Sequence, residues 1–136
     1  MGDLSKHFSR IEFTCRCGCG TYIPSPRLVE MLEKFRAFCC KEIGKDVRFI
    51  SHCGLRCAEH NRKKNGVIKS RHLPRFFRDD RGAFDFHSPD ISNRKLRKLA
   101  RKARNKKILF GGVGYYFWGV HCDSDYKFPR RWGLWI

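Results

Sequence analysis

The residues best suited to hold a metal ion are two histidines and one aspartate in three separate stretches of the chain. They are His72 in "SRHLPRFFRDD", Asp85 in "GAFDF" and His121 in "GVHCD". Asp85 and His121 interrupt apolar strand patterns, where a buried ionisable group is costly unless it is paired or coordinated. Two imidazoles and one carboxylate form a catalytic zinc set with one position left for water. The alternative pairs Asp85 with an arginine and leaves both histidines merely hydrogen-bonded.

The apolar pattern predicts the elements that position these residues. A helix is predicted over "PSPRLVEMLEKFRAFCCKEI", with Ser25 as its N-cap and Pro26 in its first turn. A short strand is expected at residues 46–50, "DVRFI", and a short helix at "CAEHNRKKNG" that stops at Gly66. "GAFDF" alternates as a half-buried strand does and places Asp85 in the sheet.

The second half of the chain adds another helix and two strands. "SNRKLRKLARKARNKK" begins with Ser92 as a cap and is apolar on one face and basic on the other. "ILFGGVGYYFWGVHCD" predicts two short strands with a turn near Trp118 and Gly119. Helices and strands interleave without a regular βαβ rhythm, so we expect an α+β fold with a small, mainly antiparallel sheet flanked by helices. A length of 136 residues suits a single domain, residues 1–136.

Four stretches resemble a known family in their order along the chain. They are "LSKHFSRIEFTCRCGCG", "CGLRCAEHN", "SRHLPRFFRDDRGAFDF" and "GVGYYFWGVHCD…RRW". They look like the zinc D-Ala-D-Ala carboxypeptidases and phage peptidoglycan endopeptidases of metallopeptidase family fifteen, with the small phage-type branch as the nearest match. The resemblance implies a hedgehog/DD-peptidase-like fold, a Zn²⁺ cofactor and hydrolysis of an amide bond in peptidoglycan stem peptides.

The resemblance assigns His72, Asp85 and His121 as the zinc ligands, with Ser70 and Ala83 matching other positions of the motif. The gap of thirteen residues from His72 to Asp85 is longer than is usual in the family. We expect the extra residues in a basic insertion near residues 74–81. It is predicted as a surface loop, since loop length costs little entropy when both ends are anchored. Its aromatic residues would then be placed to cover the site as a lid.

Two further residues are candidates for catalysis. Arg56 in "GLRC" matches a family arginine that binds or polarises the scissile carbonyl, where a guanidinium would stabilise the developing negative charge. The alternative is an arginine in a surface salt bridge. Many relatives carry an acid three residues before the last zinc histidine, but that position is Trp118 here. Asp123 lies on the same strand face as His121, so it is a candidate either to move the proton or to orient a ligand.

The cysteines of "CRCGCG" have two open interpretations. Cys15, Cys17 and Cys19 are spaced more tightly than the two-residue gap of a conventional zinc knuckle. Cys57 and His60 are candidates to join them around a structural metal, or a cysteine of this set pairs with another in a disulfide. Similar cysteines recur in the matched family stretches, which favours a structural role over a catalytic one.

The charge of the chain predicts a polyanionic partner. The formal net charge is +17, from 30 Lys and Arg residues against 13 Asp and Glu residues. The stretch 93–107 contains no acidic residue, although solvated faces ordinarily mix both signs. We expect it to bind an anionic wall polymer, or nucleic acid through phosphate contacts. The alternative is a solvated helix face. The residues named for this surface are Arg94, Lys95, Arg97, Lys98, Arg101 and Lys102.

The expected setting is a phage or bacterial lysis system. "MGDLSKHFSRIEF" lacks the apolar run of a signal peptide, so we expect synthesis in the cytoplasm and action at the bacterial cell wall, in phage lysis or from the virion. No membrane span is predicted, and a monomer is expected. The alternative function is a catalytically silent zinc-fold protein that binds nucleic acid or a wall polyanion, such as a small-phage structural protein.

Overall fold

A five-stranded sheet forms the centre of the fold in the computed structural model, which describes residues 2–134. The strand order is β1-β2-β4-β3-β5. All neighbouring strands pair antiparallel except β3 and β5, which pair parallel. The predicted α+β fold with a mainly antiparallel sheet is therefore confirmed. The strands are β1 (Ile50–Cys53), β2 (Ala83–His87), β3 (Val113–Tyr116), β4 (Gly119–Asp123) and β5 (Arg131–Gly133).

Three of the four α-helices that the structure describes follow the predicted pattern. Ser92 Oγ accepts a hydrogen bond from the backbone N–H of Lys95, as expected for an N-cap. The second helix ends at Lys63 rather than at Gly66, because Asn65 turns into a left-handed conformation with φ of 55°. Between residues 2 and 134, no helix has both the length and the apolar character needed to cross a membrane. The helices are α1 (Pro26–Ile43), α2 (Ala58–Lys63), α3 (Pro74–Arg78) and α4 (Asn93–Asn105).

Alternation along β2 and β4 divides the sheet into two different faces. Phe84 and Phe86 of β2 and Val120 and Cys122 of β4 are fully buried in the hydrophobic core, which also includes side chains of α1 and α4. Successive side chains of a strand point to opposite faces, so the residues between them lie on the other side. The core thus holds one face of the sheet in place, and the opposite face presents the candidate metal ligands.

The predicted strand at residues 46–50 is wrong, since β1 begins only at Ile50. The backbone N–H groups of this segment go to side chains instead of a strand ladder. Val47 donates to Cys40 Sγ at 3.3 Å, and Arg48 donates to Asp90 Oδ2 at 2.7 Å. Val47 is nevertheless fully buried, which accounts for the strand-like alternation of the sequence.

The predicted surface loop at "PRFFRDD" is also wrong, because this segment contains α3 and is anchored in the protein. Phe77 is only 1% exposed and belongs to the hydrophobic core. Phe76 is 8% exposed and lies under the guanidinium groups of Arg71, Arg75 and Arg81, at 4.5–5.2 Å from its ring centre. Two phenylalanines held in this way cannot act as a mobile cover.

Polar contacts fix the end of the same segment. Asp80 Oδ1 accepts hydrogen bonds from Ser25 Oγ at 2.9 Å and from the backbone N–H of Arg27 at 3.0 Å. Asp80 therefore satisfies a free donor in the first turn of α1, a role that sequence proximity would have given to Ser25. Arg81 forms an ion pair with the fully buried Asp125 at 3.1 Å. The segment between the two candidate ligands thus braces α1.

This bracing role predicts a large stability loss for Phe77→Ala. Truncating a fully buried phenylalanine removes its packing and leaves a cavity, so we expect the free energy of unfolding to fall by about 3–5 kcal/mol. Phe117→Ala is the matched control, since Phe117 is 78% exposed, and we expect its effect to stay within about 0.5 kcal/mol. Denaturant titration followed by circular dichroism measures both. Equal stabilities for the two variants would contradict this prediction and would mean that the segment does not support the core.

Candidate metal centre

Asp85 lies between the two candidate histidines. Its Oδ2 is 3.2 Å from His72 Nε2, and its Oδ1 is 2.7 Å from His121 Nδ1. Strand pairing places Asp85 of β2 directly opposite His121 of β4, whereas His72 comes from the segment before α3. One ligand atom from each residue lies within 4.8 Å of the other two. The structure therefore brings together the three residues that the sequence singled out.

The outer ring nitrogen of each histidine is occupied by a hydrogen-bond acceptor. His72 Nδ1 donates to the backbone carbonyl of Gly54 at 2.6 Å, because a carbonyl oxygen can only accept. His121 Nε2 donates to Asp123 Oδ2 at 2.9 Å. These contacts fix the ring orientations and leave His72 Nε2 and His121 Nδ1 directed at Asp85. Histidine ligands of metals are held in this way in proteins.

The cluster is electrostatically coupled. Burial would raise the pKa of the Asp85 carboxyl, but the adjacent His72 and His121 outweigh burial and lower it. Burial would likewise lower the pKa of His72, yet the Asp85 carboxylate raises it to about 10. The same carboxylate raises the pKa of His121. The Asp85 carboxylate and the two adjacent histidines therefore stabilise each other's charged forms, at the place where a metal cation would bind.

The donor set fits a zinc ion. Two imidazole nitrogens and one carboxylate oxygen are the three protein ligands of many catalytic zinc sites, and a fourth position remains for water or substrate. The side chains of His72 and His121 are 4% and 7% exposed, whereas Asp85 is 18% exposed. The two histidines are thus shielded from bulk water, and the site is accessible on the side where Asp85 is partly exposed.

Asp123 is placed behind His121 and does not line the pocket. It is fully buried, and its Oδ1 accepts hydrogen bonds from the backbone N–H groups of Gly112 at 2.7 Å and Asp125 at 3.1 Å. Burial would raise the pKa of its carboxyl, but the hydrogen bond from His121 contributes to lowering it, so the group is ionised. Both oxygens are engaged, which suits holding His121 better than exchanging protons with a substrate.

Arg56 reaches the site from the loop between β1 and α2. Its backbone N–H donates to the carbonyl of His72 at 2.7 Å, and its guanidinium lies 3.4 Å from Ser70 Oγ. Arg56 Nε is buried and has no hydrogen-bond partner within residues 2–134. Ser70 Oγ in turn accepts from the backbone N–H of His72 at 3.3 Å. Arg56 is thus tied to a zinc-ligand candidate and lines the pocket beside it.

A pocket of about 380 Å³ opens onto the three candidate ligands. Asp85 is the only acidic residue among its described lining residues, whereas Arg56, Lys69, Arg71 and Arg130 are basic. Two of the four are already paired with buried carboxylates, Arg71 with Asp125 at 2.7 Å and Arg130 with Asp123 at 3.5 Å. The pocket therefore favours a ligand that carries negative charge beside the metal position.

Two aromatic residues of the pocket were not predicted from the sequence. Tyr116 Oη accepts a hydrogen bond from Trp132 Nε1 at 2.5 Å, and the Trp132 ring lies 4.9 Å from that of His121. Trp132 arrives through the parallel β3–β5 pairing, for which the short stretch "RRWG" gives no local indication. Trp118 stands outside the pocket lining and stacks on Tyr116 at 4.8 Å.

The basic surface on α4 is smaller than the sequence predicted. Arg97 is only 5% exposed, and its guanidinium donates to the backbone carbonyl of Tyr116 at 2.8 Å, so it faces inward. Lys102 forms an ion pair with Glu42 of α1. Five of the six named residues are exposed, namely Arg94, Lys95, Lys98, Arg101 and Lys102. Arg97 belongs to the packing between α4 and the sheet and not to a polyanion surface.

Comparison with known proteins identifies the family. A model of the family described as Peptidase M15 matches residues 6–123, which covers most of the chain and includes the three candidate ligands. Searches of curated proteins and of solved structures found no match. Members of the family are typically zinc-dependent and act on peptidoglycan-type substrates. The chain belongs to the peptidase M15 family and is a metallopeptidase.

Proposed function

We propose that this protein is a zinc-dependent peptidase that hydrolyses an amide bond in peptidoglycan stem peptides, as a D-Ala-D-Ala carboxypeptidase or an endolysin-type endopeptidase. One observation carries the proposal. His72 Nε2 and His121 Nδ1 flank the two oxygens of Asp85 while their outer nitrogens are held by Gly54 and Asp123. This arrangement is suited to a metal and is more than a buried salt bridge requires.

The residues around the ligands have separate roles in this proposal. A bound zinc ion supplies a Lewis acid and lowers the pKa of a water molecule at its open position. Arg56 lines the pocket beside the ligands and is the candidate to stabilise the negative charge that develops on the substrate carbonyl oxygen. Asp123 acts as a positioning residue, because its contact with His121 Nε2 keeps Nδ1 available as a ligand. Asp123, a candidate general base in the sequence, is therefore assigned the role of orienting the ligand His121.

The charge of the pocket supports a carboxylate-bearing substrate. Arg56 and Lys69 line the pocket together with Arg130, which is paired with Asp123 at 3.5 Å, and Asp85 is the acidic residue of the described lining. Stem peptides carry free carboxylates, which guanidinium and ammonium groups bind by charge-assisted hydrogen bonds. A substrate of this type would enter with its carboxylate against the basic wall and its amide carbonyl near Arg56.

The test of the proposal is zinc content together with hydrolysis of cell-wall sacculi. We expect a His72→Ala, Asp85→Ala and His121→Ala triple variant to lose one zinc ion per chain and to release no new amines. The matched control is His52→Ala with His87→Ala, an exposed histidine pair outside the pocket lining. It should keep both zinc and activity.

Two outcomes would contradict this proposal. Unchanged zinc content in the triple variant would mean that these residues do not bind the metal. Zinc-loaded wild-type protein that releases no amine from sacculi, next to an active control peptidase, would favour the catalytically silent alternative. Salt-dependent binding to nucleic acid or to wall polymer would then be the activity to characterise.

The role given to Asp123 has its own test. Asp123→Asn leaves the side-chain volume nearly unchanged and weakens the hold on His121, so we expect zinc affinity to fall by roughly 10–100-fold. Activity should recover in large part at saturating zinc. Competition with a chromophoric chelator measures the affinity, and a pH–rate profile measures the catalytic step. Unchanged zinc affinity, combined with loss of the acidic limb of that profile, would make Asp123 the general base instead.

We further propose that the exposed basic residues of α4 attach the enzyme to anionic wall polymer. Arg94, Lys95 and Lys98 are exposed on the first two turns of the helix, and none of them lines the pocket. Phosphate-rich polymers would bind such a surface without any requirement for sequence. Attachment to wall polymer suits an enzyme that acts at the bacterial cell wall, either in phage lysis or associated with a virion.

The attachment proposal predicts a selective loss of wall binding. Lys95→Glu with Lys98→Glu should reduce pelleting with sacculi and weaken its salt dependence, while hydrolysis of a soluble stem peptide stays unchanged. Lys6→Glu with Lys34→Glu is the control, since both lysines are exposed and the net charge changes equally. An equal reduction in both variants would show that overall charge, and not α4, attracts the polymer.

A further inference from the structure

Four cysteine thiols converge at a position that the proposed peptidase reaction does not use. Cys15, Cys17, Cys19 and Cys57 each offer a sulfur within 4.8 Å of the other three. Cys15 Sγ lies 3.4 Å from Cys17 Sγ, which lies 3.7 Å from Cys57 Sγ. A tetrahedral zinc ion with Zn–S bonds of about 2.3 Å requires sulfurs about 3.8 Å apart. We propose that these four cysteines bind a structural zinc ion, separate from the centre at His72, Asp85 and His121.

The backbone of the "CRCGCG" stretch accounts for the convergence. In an extended strand, thiols at alternate positions would stand in a row along one face, roughly 6–7 Å apart. Residues 16–19 form a turn instead, and within it Gly18, between Cys17 and Cys19, adopts a φ of 95° that other residues rarely adopt. This turn brings Cys15, Cys17 and Cys19 close to one another. The turn therefore makes a four-thiol site compatible with a spacing that argues against a conventional zinc knuckle.

Neighbouring donors favour the thiolate form that a metal requires. The backbone N–H of Cys57 donates to Cys15 Sγ, and that of His60 donates to Cys57 Sγ, both at 3.4 Å. His60 Nδ1 lies 3.4 Å from Cys15 Sγ and is positioned to donate a third hydrogen bond. Hydrogen bonds to the charged form of an acid stabilise that form. These contacts surround the sulfurs with donors, as a negatively charged zinc–thiolate site needs.

The chemistry of the four donors also favours zinc. Thiolate sulfur is a soft ligand, and four thiolates in tetrahedral positions select zinc over harder divalent ions.

The zinc ion would join two distant segments at the edge of the active site. Leu55 N–H donates to the carbonyl of Phe13 at 2.9 Å, and a Cβ on Gly54 would meet the Phe13 Cα at 2.4 Å. The same loop supplies the Gly54 carbonyl that holds His72 and ends at Arg56, one residue before Cys57. The site thus fixes the loop that orients one catalytic ligand and presents the candidate oxyanion arginine.

Metal analysis in a background without the catalytic ligands tests the site independently of the proposed function. A His72→Ala and His121→Ala variant should retain one zinc ion per chain. Adding Cys17→Ser and Cys19→Ser should remove it, whereas adding Cys40→Ser, a cysteine outside the cluster, should not. Cobalt substitution should give an intense thiolate-to-cobalt charge-transfer band in the background variant and none in the cysteine variant. Absence of that band would overturn the proposal whether or not the enzyme hydrolyses sacculi.

A measurement on the wild-type chain covers the case in which the cysteine variants fail to fold. Thiol titration before and after chelation should show four additional reactive cysteines once zinc is removed. A mass that reveals a disulfide among the four cysteines in the native protein would refute the site. His60→Ala should keep the zinc ion, because His60 is a hydrogen-bond donor in this proposal. Loss of zinc in His60→Ala with retention in Cys19→Ser would overturn the four-cysteine assignment.

Discussion

The position of the Asp85 carboxylate is the constraint on which the site depends. A carboxylate with 18% side-chain exposure beside a hydrophobic core is tolerable only with positive charge on both of its oxygens. His121 meets this need through the β2–β4 pairing, and His72 through a loop held by Gly54 and Arg56. The β2–β4 register, the position of the loop that carries His72 and the geometry of the ligands are therefore all needed to stabilise the Asp85 carboxylate. A shift of one residue in β2 would place Asp85 in the core and a phenylalanine at the metal position.

Much of this arrangement could be predicted because it depends on residue type and alternation. Asp85 and His121 are ionisable residues inside apolar strand patterns, and Ser92 precedes an amphipathic helix whose cap is confirmed. Ser25 is the N-cap residue of α1, as predicted, but the side-chain hydrogen bond to the first turn could not be predicted, since Asp80 supplies it from a distance of 53 residues in the sequence. The role of the Gly54 carbonyl as the hydrogen-bond acceptor for His72 could not be predicted either, because every residue has a backbone carbonyl.

The incorrect predictions share a physical origin. In each case a side chain makes a contact in the fold that its neighbours in the sequence do not indicate. At Arg48 the carboxylate of Asp90 takes the N–H that a strand would have used, so the apolar alternation of residues 46–50 reports burial and not pairing. At Phe77 the basic residues on either side suggest a solvated loop, yet the ring fills the core. At Arg97 a charged residue faces inward to a backbone carbonyl. Charge in the sequence therefore does not by itself identify surface.

The parallel β5 strand has a consequence for the order in which the site can form. Trp132 packs against His121 and binds the hydroxyl of Tyr116, so residues 131–133 complete the wall around ligands that lie up to 60 residues earlier. Synthesis runs from the amino terminus, so all three candidate ligands are made before residues 131–133. The wall that Trp132 provides beside His121 is therefore added last, when β5 pairs with β3.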